Sequence, residues 1–354
     1  MNRRFPSAAL TALLLLTACA GDGGTPVSTG APSSTPTAAG TRHPYPEASG
    51  SVVGEAPVFR AESIEGQHFF NPGAAILHDG TYHAFGFAFD GDGTRAMHLT
   101  STDAMAWEPA ADPDWTTLGL ELDQPGPIPT SVLVEPDGTW VVYGWGFLPG
   151  TNPAPTVAWR ASGPGPDGPW VADPGIILEP GAGDAWDGRG LFALSVTGDG
   201  DGDGYRTAYA ASSRLFPNHG VIGMATSADG VAWDKFDLPT ASRELAESDP
   251  IVEEGLCGDY DAGAVFQPQL TTTEAGFRLL YSGFTIGAGP TTIVSAVSAD
   301  GETWTCDGAV VTEGMFPDGA TIQGFAVIRG DEGHLLVEAL DEEGGASSLW
   351  LVAL

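Results

Sequence analysis

Two aspartates stand a few positions ahead of predicted strands, where their side chains could reach a common site. Asp187 lies in Trp186-Asp-Gly-Arg-Gly190, and Asp261 lies in Asp259-Tyr-Asp-Ala-Gly263. Two carboxyl groups that flank a bond can act as general acid and as general base or nucleophile. Asp187 and Asp261 are therefore our candidate catalytic residues. The alternative for each is an aspartate that caps a turn or a strand.

A second set of side chains is suited to binding. Asn71, Gln267 and Gln323 each stand at the start of an apolar run. Amides bond well to ligand hydroxyls, but they cannot act as an acid or a base near neutral pH. Arg189 could orient a carboxylate or a hydroxyl, or form a surface ion pair instead. The candidate binding residues are Asn71, Arg189, Gln267, Gln323, Trp145 and His219.

One segment suggests a calcium ion. Gly198–Gly204 alternates glycine with Asp199, Asp201 and Asp203, and calcium prefers oxygen ligands at alternating positions. The twelfth position of this loop is Ala210, so the closing acid of a calcium loop is missing. A structural calcium and a plain solvated hairpin remain the two alternatives. We expect that no cofactor is required, since the sequence contains no G-x-S-x-G, H-E-x-x-H or P-loop motif.

The charge of the chain excludes one class of partner. The 354 residues include 13 Lys and Arg against 46 Asp and Glu, for a net charge of −33. Proteins that bind nucleic acid need clustered cations to displace counterions from phosphates. We therefore expect no nucleic-acid partner.

The N-terminus resembles an export signal. Residues 1–18 hold Arg3 and Arg4, an apolar run and the small residues before Cys19, as in a bacterial lipobox. This pattern predicts that Cys19 is lipidated and anchors the protein in the cell membrane, outside the cytoplasm. The alternative is an ordinary cleaved signal with an incidental cysteine. Of the residues 20–50, 25 are Gly, Ala, Ser, Thr or Pro, so 19–50 is predicted to be a flexible tether.

A repeat organises the rest of the chain, 51–354. The pattern S-x-D-x-x-x-W recurs at Ser101–Trp107, Ser227–Trp233 and Ser298–Trp304. Five turn glycines, at 80, 138, 204, 276 and 333, each separate two strand-like apolar runs. Three to four strands per unit, without helical periodicity, indicate an all-β, five-bladed β-propeller. A two-domain β-sandwich is the competing fold.

The ends of the chain and its cysteines give two further expectations. The orphan strand Ser51–Arg60 is predicted to pair with the last blade and close the ring, because an unpaired edge invites aggregation. Cys257 and Cys306 are predicted to form a disulfide, since export places them outside the reducing cytosol. Two buried free thiols are the alternative.

The strand motifs resemble a known superfamily. Phe70-Asn71-Pro72 and Phe266-Gln267-Pro268, with the hairpins that follow them, resemble the inner hairpins of furanosidase-like glycoside hydrolases, such as families 32, 43, 62, 117 and 130. Val221–Trp233 resembles their outer hairpin. The resemblance implies a five-bladed propeller with a saccharide in its funnel. Asn71 departs from the pattern, because most of these families place a carboxylate there, although family 130 also has an Asn-Pro step.

Together, the lipobox and the strand motifs imply a lipid-anchored glycoside hydrolase-like protein that acts on a saccharide, and we expect a monomer. The alternative is a non-catalytic propeller that binds carbohydrate or protein at the cell surface. A sialidase would need a cluster of arginines for the sugar carboxylate, and Arg189 and Arg214 are too few.

Overall fold

The structure is a computed structural model. It describes residues 48–61, 70–89, 94–113, 115–150, 155–198, 204–213, 220–238, 248–285, 290–316, 320–331, 333–340 and 347–354. The described chain is all-β, as predicted. Its helical segments are the short 3-10 helices Trp115–Leu118, Gly258–Tyr260 and Glu313–Met315. Within these ranges no helix has the length and hydrophobicity of a membrane span.

The strands follow one another in the order β1 (Ser51–Val52), β2 (Phe59–Arg60), β3 (Phe70–His78), β4 (Thr81–Phe89), β5 (Thr94–Ser101), β6 (Glu108–Pro109), β7 (Asp123–Val134), β8 (Trp140–Phe147), β9 (Thr156–Gly163), β10 (Val171–Leu178), β11 (Gly190–Gly198), β12 (Tyr205–Ser212), β13 (Gly220–Ser227), β14 (Asp234–Lys235), β15 (Pro250–Val252), β16 (Ala264–Thr273), β17 (Gly276–Phe284), β18 (Thr291–Ser298), β19 (Thr305–Thr312), β20 (Thr321–Arg329), β21 (His334–Leu340) and β22 (Ser347–Ala353). Consecutive strands pair antiparallel in the groups β3 to β6, β7 to β10, β11 to β14, β16 to β19 and β20 to β22.

The first strands of these groups, β3, β7, β11, β16 and β20, are the inner strands. Each contacts two others in a cyclic order, from β3 through β7, β11, β16 and β20 back to β3. Neighbours run in the same direction: Ser195 accepts a hydrogen bond from the Leu270 amide at 2.8 Å, and Thr197 lies 3.5 Å from Thr272. The inner strands therefore start at one end of the molecule, which we call the mouth.

The hairpin turns lie at the opposite end. Asp79 and Gly80 have φ values of 48° and 76°, and Gly138 has 87°. Both central residues of the first hairpin thus take the left-handed conformation that a tight two-residue turn requires. This agrees with the turns predicted at Gly80 and Gly138.

The repeated S-x-D-x-x-x-W segments are structural turns. In each copy the aspartate carboxylate accepts two backbone N–H groups, from residues two and three positions later. These backbone hydrogen bonds lower the pKa of Asp103, Asp229 and Asp300. Trp107 and Trp304 are buried, and each indole N–H donates to the carbonyl three residues earlier. The repeated segments therefore have a structural role in the fold.

Two predicted links between distant segments are confirmed. Ser51 pairs with Ala353, and Phe59 pairs with Leu349, so β1 and β2 both lie on β22. Cys257 and Cys306 form a disulfide. This bond joins the loop that precedes inner strand β16 to β19, the outer strand of the same group.

Candidate functional site

The inner strands deviate from regular pairing close to the mouth. The register shifts between Pro72 and Ala74 in β3, and between Phe266 and Gln269 in β16. Strands β7, β11 and β20 shift at corresponding places. Such bulges turn side chains away from the normal alternation and are frequent beside active sites. The mouth is therefore the candidate location of a functional site.

Gln267 is held in a strained conformation at this bulge. Its φ is 49°, and the neighbouring inner strand has Ala193 at 46°. Residues other than glycine rarely occupy this region, and strain of this kind clusters at functional sites. The Gln267 side chain is half-buried, and its Oε1 accepts a hydrogen bond of 3.1 Å from Ser282.

Asn71 is buried at the mouth and held by hydrogen bonds. It is 3% exposed. Its Nδ2 donates to the backbone carbonyl of Gln323 at 3.3 Å and to Oε2 of Glu338 at 3.0 Å. A Cβ on Gly324 would collide with the Asn71 amide, so a glycine is needed beside it. The Gln323 side chain donates to Thr321 at 2.8 Å. The structure thus brings two of the predicted amide residues together.

An aromatic cluster lies at the starts of inner strands β7 and β11. The ring centroid of Trp145 is 5.4 Å from that of Phe192 and 5.6 Å from that of Phe147. Trp145 is 8% exposed. Phe266, next to Gln267, is half-buried and packs against the same cluster. Aromatic faces of this kind can stack on apolar faces of a ligand.

Arg189 stands just before inner strand β11. The side chain is half-buried, and desolvation lowers the pKa of its guanidinium. Its backbone N–H donates to the carbonyl of Ser212 at 3.1 Å. The binding role of Arg189 stays a prediction.

Asp187 is fully buried and belongs to an ion pair. Its Oδ2 lies 2.5 Å from Nζ of Lys235, the single lysine of the chain, and its Oδ1 accepts the amide of Gly181 at 3.0 Å. Lys235 also donates to the carbonyl of Glu179 at 2.7 Å. The pair links the segment before β11 to the outer strand β14.

Asp261 is also fully buried, in a separate network. Both carboxylate oxygens accept the amide of Cys257 at 3.0 Å, and Oδ2 accepts the Tyr281 hydroxyl at 2.8 Å. Burial raises the pKa of Asp261 in spite of these hydrogen bonds, and raises the pKa of Tyr281 as well. Asp187 and Asp261 share no hydrogen-bond partner in the described chain, and their catalytic roles stay predictions.

Several predicted residues lie outside the described residues. They are His219, Asp199, Asp201, Asp203 and the predicted lipidation site Cys19. The calcium and lipid-anchor hypotheses therefore stay predictions. Within the described part of the chain, no group of three or more His, Cys, Asp or Glu side chains could hold a metal ion.

Glu338 was missed by the sequence reasoning. It lies in the second strand of the last group, is 0% exposed, and its Oε1 has no hydrogen-bond partner among the described residues. Burial raises the pKa of Glu338 to about 8. A signal was present, because one acid interrupts the otherwise apolar run Leu335–Leu340.

Solved structures of several glycoside hydrolases have a similar fold. No protein-family model matches the sequence, and neither does any curated protein. The structure is similar to an endo-arabinase from Bacteroides thetaiotaomicron, with TM-score 0.58, 14% identity and coverage of 85% of this chain and 98% of that chain. It is also similar to a family 117 glycoside hydrolase from the marine bacterium Zobellia galactanivorans, with TM-score 0.58, 13% identity and coverage of 86% and 90%.

A third similar structure comes from family 130 of mannoside phosphorylases, a family that contains glycoside hydrolases targeting β-1,2-mannosidic linkages in Candida mannan. Its TM-score is 0.55 at 17% identity, with coverage of 87% of this chain and 92% of that chain. At these identities the similarity establishes the fold. The resemblance seen in the strand motifs is therefore confirmed at that level.

Proposed function

We propose that the five strand groups are the blades of a five-bladed β-propeller, whose last blade is completed by β1 and β2. The cyclic contacts of the inner strands and the pairing of Ser51 with Ala353 support this arrangement. We also propose that residues 1–18 direct export, and that lipidated Cys19 anchors a monomeric propeller to the outer face of the cell membrane through the tether 19–50. The disulfide fits an oxidising compartment.

We propose that the protein acts on the glycosidic bonds of a saccharide bound at the mouth. One observation carries this proposal: the amides of Asn71 and Gln267 stand at bulged starts of inner strands, and Phe266, next to Gln267, packs against the aromatic cluster that contains Trp145. Amides bond to sugar hydroxyls, and aromatic rings stack on the apolar face of a sugar ring. The same fold in the glycosidases above supports the reaction type.

Hydrolysis requires two carboxyl groups, about 5–5.5 Å apart for retention or about 6.5–9.5 Å apart for inversion. Asp187, which forms an ion pair with Lys235, is assigned the role of general base or nucleophile. Asp261, whose pKa burial raises, suits the protonated form required of a general acid. Both would have to gain access to the saccharide.

The second candidate is a non-catalytic saccharide-binding propeller. A specific observation favours it: Asp187 and Asp261 are both fully buried, and all four carboxylate oxygens already have partners. Such a protein would hold sugar hydroxyls with Asn71, Gln267 and Arg189 and release the saccharide unchanged.

A turnover assay separates the two candidates. The panel comprises aryl furanosides, aryl pyranosides, arabinan and β-1,2-mannobiose, the last two suggested by the structural neighbours. Hydrolysis is expected for the wild type, and Asp187→Asn and Asp261→Asn should each lower kcat by about 100-fold or more, because proton transfer contributes at least that much. Rates are normalised to folded protein by circular dichroism, since both residues also hold structure.

Asp137→Asn serves as the matched control, because Asp137 lies in an exposed hairpin turn at the end opposite the mouth. It should retain wild-type turnover. Full activity of both Asp187→Asn and Asp261→Asn would refute their assigned catalytic roles. Binding on a glycan array without any hydrolysis product would refute the enzyme hypothesis and support the binding protein.

A further inference from the structure

Glu338 lies in β21, beside the first residues of inner strand β20 and thus close to the mouth. It pairs with Gly324 of inner strand β20 on one side and with Leu349 of β22 on the other. Its Oε2 is 3.0 Å from Nδ2 of Asn71, 267 positions earlier in the sequence. The acid thus connects the last strand group to the first residues of β3.

The contacts of Asn71 determine which way its amide faces. The carbonyl of Gln323 can only accept a hydrogen bond, so Nδ2, the only donor of the amide, must point toward it. The second Nδ2 hydrogen goes to Glu338. No described residue donates a hydrogen bond to the remaining atom, Oδ1. The amide therefore keeps its acceptor for a ligand hydroxyl.

The surroundings of Glu338 favour a neutral acid. The groups facing it are the amide of Asn71 and the backbone N–H of Phe70 from β3, and the hydroxyl of Ser347 from β22. All three are uncharged. Ser347 in turn accepts the N–H of Phe70 at 2.9 Å. Burial raises the pKa of Glu338 more than these polar groups lower it, which leaves it at about 8. Since Oε2 accepts from Asn71, the proton of the neutral acid is on Oε1.

We propose that Glu338 is a positioning residue of the mouth: with its proton on Oε1 it accepts from Asn71 through Oε2 and so keeps the Asn71 carbonyl available to saccharide. The saccharide part rests on the proposed function. The orientation of the Asn71 amide does not, and it can be measured without a ligand. Ionisation of Glu338 would place an uncompensated charge beside the amide and disturb its geometry.

The ligand-free test is an NMR titration of the Asn71 side-chain amide, assigned from the peak pair that Asn71→Asp removes. In the wild type its shifts should change with a midpoint near pH 8, the pKa of Glu338. In Glu338→Gln, which keeps the shape and the acceptor but cannot ionise, the same peaks should stay constant from pH 6 to pH 9.5. Peaks that do not titrate in the wild type, or that titrate equally in Glu338→Gln, would overturn the proposal.

The second readout is saccharide affinity, measured by calorimetry with arabinan oligosaccharides and β-1,2-mannobiose. Glu338→Leu should weaken binding about tenfold, the effect of one mispositioned hydrogen bond, and Glu338→Gln should recover most of it. Wild-type affinity should fall above pH 8 while that of Glu338→Gln holds. Equal affinity of Glu338→Leu and the wild type would refute the positioning role. A wild type that binds no saccharide refutes the proposed function and the saccharide part, and the NMR titration still decides whether Glu338 orients Asn71.

Discussion

Glu338→Gln should raise the free energy of unfolding by about 3 kcal/mol at pH 7, and by about 5 kcal/mol above pH 8. The folded protein keeps a proton on Glu338 up to about pH 8, whereas the unfolded chain releases it near the ordinary value of 4.5. The folded state therefore binds more protons, and wild-type stability falls as the pH rises from 4.5 to 8. Glutamine removes this dependence.

Urea denaturation at several pH values measures this effect. The difference between the two proteins should be small at pH 4.5 and should grow by about 1.4 kcal/mol per pH unit until pH 8. Glu302→Gln is the control, since Glu302 is exposed, and it should change stability by less than about 0.5 kcal/mol. Parallel stability profiles for the wild type and Glu338→Gln would mean that Glu338 is already ionised in the folded protein.

Lys235→Met should destabilise the fold by about 3–5 kcal/mol, because it leaves the carboxylate of Asp187 buried without its counter-charge. The side chain of Asp187 is 1% exposed and that of Lys235 is 16% exposed. The double variant Lys235→Met with Asp187→Asn should recover part of the loss, since it removes both charges together. Chemical denaturation of the four proteins gives the coupling energy of the pair.

The surface pair of Arg95 and Asp112 provides the comparison. Its atoms are 3.6 Å apart and its side chains are 48% and 40% exposed, so Arg95→Met should cost less than about 1 kcal/mol. A loss of similar size in Lys235→Met would show that the Asp187 ion pair is hydrated rather than buried.

The local features of the fold could be predicted from the sequence. The tight turn at Asp79 and Gly80 depends on two adjacent residues, and the repeated aspartate turns depend on residues two to three positions apart. The disulfide was predictable from the cysteine count and the predicted export signal. The pairing of the N-terminal strand followed from the need to cover the edge of the last blade.

The site could be predicted only in part, because its contacts join distant positions. Asn71 and Gln323 can be assigned to strand starts, but Glu338, which accepts a hydrogen bond from Asn71, lies 267 positions from it and carries no motif. Asp187 is recognisable by its position ahead of an inner strand, but its partner Lys235 lies 48 positions away. The left-handed conformation of Gln267 arises from the bulge of β16, which nothing in Phe266-Gln267-Pro268 specifies.

The central claim is that a saccharide binds where the inner strands begin. A crystal structure with the tightest-binding oligosaccharide of the panel tests it most directly. We expect a sugar hydroxyl within hydrogen-bonding distance of Asn71 Oδ1, with a sugar ring beside Trp145. A saccharide bound at the hairpin-turn end near Asp137, or on the outer strands, would contradict the account.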